Sequence, residues 1–545
     1  LIYFCGIKNK MKLLHIIIII VLGLVIYSNS LAGRFVWDDY TLVEANTYLR
    51  SWSHVPDIFT RDMGSGADVK YYFYRPLQIF IYRLIYSLAK LDVRFYHFAN
   101  IFFHIGAALC VYGLAVMIFS DSLPAFFTGI LFLVHPIQTD AVCYISGIAD
   151  PLCAVFLLLS SIFYIKFIHC DNNFQSGAGR KRIIFYVLAL ISCNLALLSK
   201  EIGLVFPLIL LLCHYTFKKK LEGKYFLPFL IIVFSYLLFR NSIVGNNAPF
   251  SFTAAVLRIP GFFAALADYA RLLLLPFGLH ADYGNKLFSF FQPVTILGLS
   301  IVLFLLVLAF KKKNKNNILF FSVMWFFITL LPVSGIYPIL RFYMAEHYLY
   351  LPSLGFFLIF ADILNRACRV DKFKIAGRIL IIFLVGFYSY LTVKQNNYWR
   401  EPVTFYKRTV KYNPLSVRMW MMLGEIYFAG ARYDEAEAVF KKVVEINPNH
   451  SAGYFTLGNI YARRGQFKDA AFYFEKAIEV NPEHAAAYNN LANLFRQIGR
   501  KNIAVSLYKK AIEVDAHLES ARANLADISH NLDEPEPKKK KNRPD

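Results

Sequence analysis

Apolar runs of bilayer length recur along most of this chain, and no other feature restricts its fold as much. The first is LLHIIIIIVLGLVIYSNSLAG at 13–33. About 20 mainly apolar residues cross a bilayer as a helix, because the backbone must satisfy its own N–H and C=O groups there. By that rule spans fall near 13–31, 97–118, 123–140, 151–168, 183–199, 202–217, 225–240, 294–310, 318–335, 349–365 and 377–394. That makes about eleven crossings. Another apolar stretch, 255–276, carries Arg258, Asp268 and Arg271 together with Pro260 and Pro276. It reads as a helix lying on, or dipping into, the outer face.

Composition agrees. The 545 residues are 57% hydrophobic and 17% charged, against about 45–50% and about 25% in soluble domains. The net charge of +22 suggests nucleic acid only at first sight, because the basic residues sit in short runs between apolar segments: RKR at 180–182, KKK at 218–220, KKKNK at 311–315. Such runs mark cytoplasmic loops. With Lys8, Lys10 and Lys12 inside, these runs and 366–378 all fall inside. An odd number of spans then sets everything after residue 395 outside. The chain starts at Leu1, and Met11 followed by Lys12 is a natural start, so 1–10 reads as an upstream extension. The segment Met11–Gly33 also resembles a signal peptide, but its length favours an uncleaved first span. The eight cysteines are scattered, without disulfide or zinc spacing.

After the last span the sequence changes character. Asn-Pro recurs at 413–414, 447–448 and 481–482, a period of 34 residues, the length of a tetratricopeptide helix pair. The register holds across repeats: Trp420, Leu423, Gly424, Tyr427, Ala436 and Phe440 correspond to Tyr454, Leu457, Gly458, Tyr461, Ala470 and Phe474. Residues 399–414 read as a leading half repeat and 518–532 as a closing helix. The tail DEPEPKKKKNRPD is too polar to pack and reads as disordered. The domain reading is therefore a cytoplasmic segment at 1–12, a transmembrane domain at 13–396, a repeat domain at 397–532 and a charged tail at 533–545.

Ionisable groups inside or at the edge of a membrane are costly and therefore informative. Here they converge on the outer ends of spans far apart in sequence. Asp38 and Asp39 follow the first span, and Arg75 lies in the first outer loop. His135, Asp140 and Asp150 sit at one outer turn, Lys200 and Glu201 at another, and Arg341, Glu346 and His347 before the tenth span. The acid pair fits three roles. One carboxylate can be a general base for an acceptor hydroxyl, two can hold a divalent cation, or one can cap a helix. Trp37 and Tyr40 beside the pair favour the base. Arg75, Lys200 and Arg341 are candidates to neutralise a phosphate, or simply to pair with acids. His135 and His347 read as general acids, ligands or buried structural histidines. In the repeats, Asn459 and Asn493 occupy equivalent positions on the concave face with Asn489 close by, where side-chain amides can pair with an extended peptide.

These residues carry a resemblance. FVWDD, YRPL, HPIQTDAV, GIADPL, SKEIG and AEHYLYLPS, followed by WREPVT and 34-residue repeats, look like the transmembrane and tetratricopeptide-repeat O-mannosyltransferase family, or a bacterial relative of it. The resemblance covers nearly the whole chain. It implies an all-α protein: a polytopic GT-C-like membrane domain and an extracytoplasmic tetratricopeptide α-solenoid. It also implies a membrane glycosyltransferase that moves a sugar from a polyprenyl-phosphate donor to a hydroxyl, commonly Ser or Thr of a secreted protein, with Asp38 or Asp39 as base. The partners so implied are membrane lipid, the lipid-linked donor and a protein acceptor, not nucleic acid; no cofactor is fixed by the sequence, and a divalent cation and the need for one are left open. The site would face the periplasm, the exterior or the lumen of the endoplasmic reticulum. The chain departs from the family pattern at Gln138, Asp140 and His347, which leaves sugar and acceptor open. Rival readings are a transferase acting on lipid or glycan, and a non-catalytic scaffold working through its repeats. A transporter fits poorly, because it wants acids near the bilayer midplane.

Overall fold

The computed structural model describes residues 9–170, 178–245, 252–336 and 342–533. The readings for residues 1–8, for Arg341 and for the tail from 534 lie outside these. The described chain is helical, and no strand occurs in it. It forms two compact units that part between Arg408 and Thr409.

The first unit is a bundle. Its elements are α1 (Asn9–Tyr27), α2 (Pro76–Ala89), α3 (Val93–Phe119), α4 (Ser122–Val134), α5 (Ala149–His169), α6 (Ala178–Ser199), α7 (Phe206–Thr216), α8 (Gly223–Val244), α9 (Phe252–Leu274), α10 (Pro293–Lys312), α11 (Asn317–Leu330), α12 (Ser353–Arg369) and α13 (Lys374–Arg400). Aspartates start two of them: Asp92 accepts from the Arg94 N–H before α3, and Asp121 from the Leu123 N–H before α4. Each satisfies one of the amides a helix start leaves unpaired. Val25, Phe234, Phe304 and Ile382 point outward from α1, α8, α10 and α13, as suits helices whose solvent is lipid.

Among the described residues, eight helices are long and apolar enough to cross a bilayer, or nine if α4 and the segment Pro136–Cys143, bent by 52°, are one span. The sequence reading of about eleven differs for a geometric reason. The apolar runs at 202–217 and 318–335 fall in helices Glu201–Thr216 and Asn317–Val333, 3-10 turns included, and the run at 349–365 falls in α12; all three are shorter than the helices that pass, whereas α9, set apart in the sequence reading, is counted among those. Helix α9 meets the length and composition test. Its start nevertheless faces Ser334, Gly335 and Tyr343, and its end meets His135 through the Leu273 carbonyl. Helix α10 packs against α9 closely enough that a Cβ on Gly298 would fall 1.8 Å from the Phe263 carbonyl oxygen, so only glycine fits there.

The two ends of the bundle differ in chemistry. One gathers the basic loops, with Arg182 near Glu222, Arg369 on Asp121 (2.9 Å) and Asn317 on the Thr216 carbonyl. The other gathers the acid pair and the mixed clusters.

The second unit is a stack of helix pairs: Val417–Ala429 with Tyr433–Ile446, Ser451–Arg463 with Phe467–Val480, and Ala485–Gln497 with Lys501–Val514, closed by Glu519–Asp533. Small residues let paired helices touch. A Cβ on Gly458 would fall 2.5 Å from the Phe474 ring. His450 and His484 cap the first helices of successive pairs, accepting the Gly453 and Ala487 N–H groups at their Nδ1.

Gly458→Val should therefore destabilise this unit by about 1–3 kcal/mol or more, the usual scale of overpacking. Calorimetry of the full chain checks this, and an unchanged repeat-unit transition would contradict the packing described.

Candidate active site

The chain leaves α1 through a 3-10 turn at Ser28–Ala32 and reaches a tight turn at Val36–Asp39. The Asp39 N–H donates to the Val36 carbonyl (3.0 Å), and the Val36 N–H donates back to Asp39 Oδ2 (3.0 Å). Between them Trp37 is left-handed, with φ 54°. That conformation costs a bulky residue about 1–3 kcal/mol and persists only where its surroundings enforce it. A π-helical turn, Tyr40–Glu44, follows at once, a rare element that recurs at functional sites.

The two acids of this turn have different environments. Asp39 is wholly buried, and its Oδ1 accepts from both the N–H (2.8 Å) and the hydroxyl (2.6 Å) of Ser146. Burial is the largest influence on its carboxyl and raises it. The bonds from Ser146 and Val36 oppose that, the charge of Asp38 adds to it, and the group is pushed up to about 7. Asp38 is only partly buried, and each of its oxygens meets a phenol: Tyr71 donates to Oδ1 (3.1 Å) and Tyr144 to Oδ2 (2.9 Å). Tyr144 also accepts the Asp38 N–H at 3.2 Å. Its ring lies between Trp37 and Trp399, with centroids 5.7 and 5.6 Å away.

The cations nearby are paired. Lys200 Nζ lies 2.6 Å from Asp150, with both side chains under a tenth exposed. The Arg75 guanidinium meets Glu201 through Nη2 (3.0 Å) and Nε (3.1 Å). Removing one partner of a buried pair strands the other charge, so each pair is a firm structural link. A third cluster joins Asp140, Glu346 and His347. Asp140 Oδ2 accepts from His347 Nδ1 (2.7 Å) and from the His347 N–H (3.2 Å). Glu346 is buried, accepts from Tyr283 (2.7 Å) and from the His280 N–H, and its other oxygen meets no hydrogen-bond partner. Burial, with the neighbouring charge of Asp140, pushes the Glu346 carboxyl well up. His135 is buried and held at both nitrogens by backbone, through the Ile137 N–H and the Leu273 carbonyl. Among the described residues no set of three or more His, Cys, Asp or Glu is arranged to hold a metal ion.

In the repeats the asparagines bond to one another. Asn490 donates to Asn459 (2.8 Å), Asn489 to Asn490 (3.1 Å), and Asn524 to both Asn489 and Asn493 (3.1 Å each). Tyr508 donates to Asn493 at 2.5 Å. Asn490 and Asn524 complete the ladder that Asn459, Asn489 and Asn493 begin.

Tyr71, Tyr144 and Ser146 are the site residues that sequence reasoning misses. They lie inside YYFYRPL and CYISGIADP, beside the charged residues that drew notice. The signal available was a hydroxyl flanking an acid at a membrane edge.

Fold and site together define a multi-pass helical membrane protein with a buried acid cluster at one end of its bundle and a tetratricopeptide solenoid as a second unit. Comparison with known proteins narrows that class. Residues 403–495 match the family model of the tetratricopeptide repeat protein 21 C-terminal ARM domain, and residues 484–514 match a tetratricopeptide-repeat model. Protein O-mannosyl-transferase F38B6.6 of Caenorhabditis elegans is 27% identical over 440 residues, covering 77% of this chain and 60% of that protein. Protein O-mannosyl-transferase TMTC3 of Homo sapiens is 25% identical over 444 residues, covering 73% and 47% respectively. Protein O-mannosyl-transferase TMTC2 of Homo sapiens is 25% identical over 519 residues, covering 76% and 60%. The chain is thus similar to protein O-mannosyl-transferases, and it spans about half to three fifths of the length of the curated relatives it matches. Among solved structures, the crystal structure of MamA protein aligns with 24% of this chain and 72% of its own at 22% identity, with a TM-score of 0.23.

The Asp39 carboxyl supplies a test of the buried turn. Its raised value means that the folded chain holds a proton the unfolded chain has already released, from about pH 3.8 to about 7. Its contribution to stability is present at acid pH and is lost as pH rises through that window. Asp39→Asn cannot titrate, so its melting temperature relative to the parent should climb between pH 4 and 7. A difference independent of pH would contradict a buried, raised carboxyl.

Proposed function

We propose that this chain is a glycosyltransferase of the GT-C architecture that transfers mannose, or a similar hexose, from a polyprenyl-phosphate donor to Ser or Thr hydroxyls of secreted proteins. The observation that carries the proposal is Asp38, a partly exposed carboxylate held by two phenols at the bundle end opposite the basic loops. Asp38 is the general base. As it takes the proton of the acceptor hydroxyl, that oxygen bonds to the sugar's anomeric carbon. The bond from that carbon to the phosphate oxygen breaks, and the polyprenyl phosphate leaves with the electron pair. Positive charge gathers on the sugar and negative charge on the phosphate, so a site with both acids and cations suits the transition state. His347, about one third exposed and held by Asp140, faces the leaving phosphate. Arg75 and Lys200, each paired with an acid, supply further positive charge at the same end of the bundle. The names of the relatives support mannose as the sugar and protein as the acceptor. The basic loops mark the cytoplasmic side, which sets the acid cluster and the repeats on the extracytoplasmic side. The repeats hold the acceptor along the asparagine ladder.

Asp38→Asn should cut hexose transfer by about 10²-fold or more, the scale of losing a general base, while the melting temperature stays near the parent's. Full turnover would overturn the assignment. Replacing Asn459 and Asn493 together with Ala should raise the concentration of protein acceptor giving half-maximal transfer and leave the rate with a short peptide nearly unchanged. Equal losses with both acceptors would instead mean misfolding, and no loss with either would remove the repeats from acceptor binding.

A further inference from the structure

We infer that Tyr71 and Tyr144 are positioning residues for the base: two phenols that clamp the Asp38 carboxylate in one orientation, with Tyr144 locked in turn by the Asp39–Ser146 bond. The inference rests on the reading of Asp38 as base and goes beyond it.

The clamp comes from three separate parts of the chain. Asp38 lies in the turn after α1, Tyr71 lies 33 residues on in the first loop, and Tyr144 lies 106 residues on, past the bend after α4. Packing alone does not require distant segments to deliver one hydroxyl to each oxygen of the same carboxylate. Tyr144 has its proton direction set, because its oxygen accepts the Asp38 N–H at 3.2 Å while its O–H donates to Oδ2 at 2.9 Å. A hydroxyl has one donor, and here that donor is committed. The ring cannot swing away, since it is stacked between Trp37 and Trp399 with interplanar angles of 21° and 26°. Two residues on, Ser146 is fastened to Asp39 by two bonds.

Tyr71 is held from its backbone side. Asp62 gathers the N–H groups of Gly64 (2.9 Å), Tyr71 (3.0 Å) and Phe73 (3.1 Å). The next residue, Tyr72, is left-handed with φ 66°, as is Trp37 beside Asp38. A non-glycine residue in the left-handed region thus adjoins each of these two partners, a pattern that fits segments forced into place by their surroundings. A carboxylate fixed this way presents its reacting lone pair toward one acceptor position, which is the main contribution of orientation to a rate.

The test separates this inference from the reading it rests on. Tyr71→Phe and Tyr144→Phe keep the rings and remove only the hydroxyls. Each should lower kcat by about tenfold, the scale of one bond to a charged group, with KM for donor and acceptor within about twofold. Placed in an Asp38→Asn background, neither should cost anything further, because the clamp acts through that carboxylate. Ser146→Ala, one step further out, should show the same kcat-only loss at smaller size, and serves if a Tyr→Phe variant fails to fold. Should Asp38→Asn be inactive while the Tyr→Phe variants keep full kcat, or lose as much in the Asp38→Asn background as alone, the clamp is overturned and the base stands. Parental turnover by Asp38→Asn would overturn both.

Discussion

The buried carboxylate of Asp39 ties the turn after the first helix to the segment beyond the bend at His135, and the site end of the bundle is organised around that tie. It meets Val36 on one side and both polar groups of Ser146 on the other. Without it the left-handed Trp37 has no reason to persist, and Trp37 is what presents Asp38 to Tyr144. Three supports cross at the same place. Gln78 and Tyr82 of α2 donate to the Ser146 and Ile145 carbonyls, and Asn100 of α3 donates to the Tyr144 carbonyl at 2.7 Å. The short helical turns between the bend and α5 are thereby tied to α2 and α3 by side chains.

Charge is placed with similar economy. Lys200 with Asp150 and Arg75 with Glu201 put two cations and two anions into a confined region with no net charge. Such pairs add little net stability, since desolvation offsets attraction, but they resist rearrangement. The third cluster is different. Asp140 and Glu346 are near neighbours, and His347, about one third exposed, bonds to Asp140. The His280–Tyr283 ring pair, 4.0 Å between centroids, packs beside this cluster, and Tyr283 donates to Glu346.

Much of this architecture is legible in the sequence. Bilayer-length apolar runs and the 34-residue period are statements about backbone satisfaction and helix pairing, and both survive translation into coordinates because they depend on local pattern. Continuity is harder to read. The runs at 202–217, 318–335 and 349–365 look like spans, yet their helices are shorter than those of the other spans, and apolarity alone does not report where a helix stops. For the site, cost is visible and partnership is not. An acid or a cation beside apolar sequence marks itself, so Asp39, Asp150, Lys200 and Glu346 draw notice. Whether Arg75 awaits a phosphate or holds Glu201 depends on segments 126 residues apart. Tyrosine gives even less warning. The chain has 35 of them, each at home in an apolar setting, and nothing local separates Tyr71 and Tyr144 from the rest. A left-handed Trp37 has no local signature either, because tertiary bonds enforce it.

Transfer of a sugar from lipid to protein is a chemical event that one reconstitution tests. The purified full-length chain, in lipid vesicles with polyprenyl-phosphate mannose and a secreted-protein acceptor rich in Ser and Thr, is followed by mass spectrometry of both protein and lipid. The account predicts one hexose appearing on Ser or Thr for each polyprenyl phosphate released. Donor consumed with the protein unmodified, or donor untouched by a correctly folded chain, would contradict it.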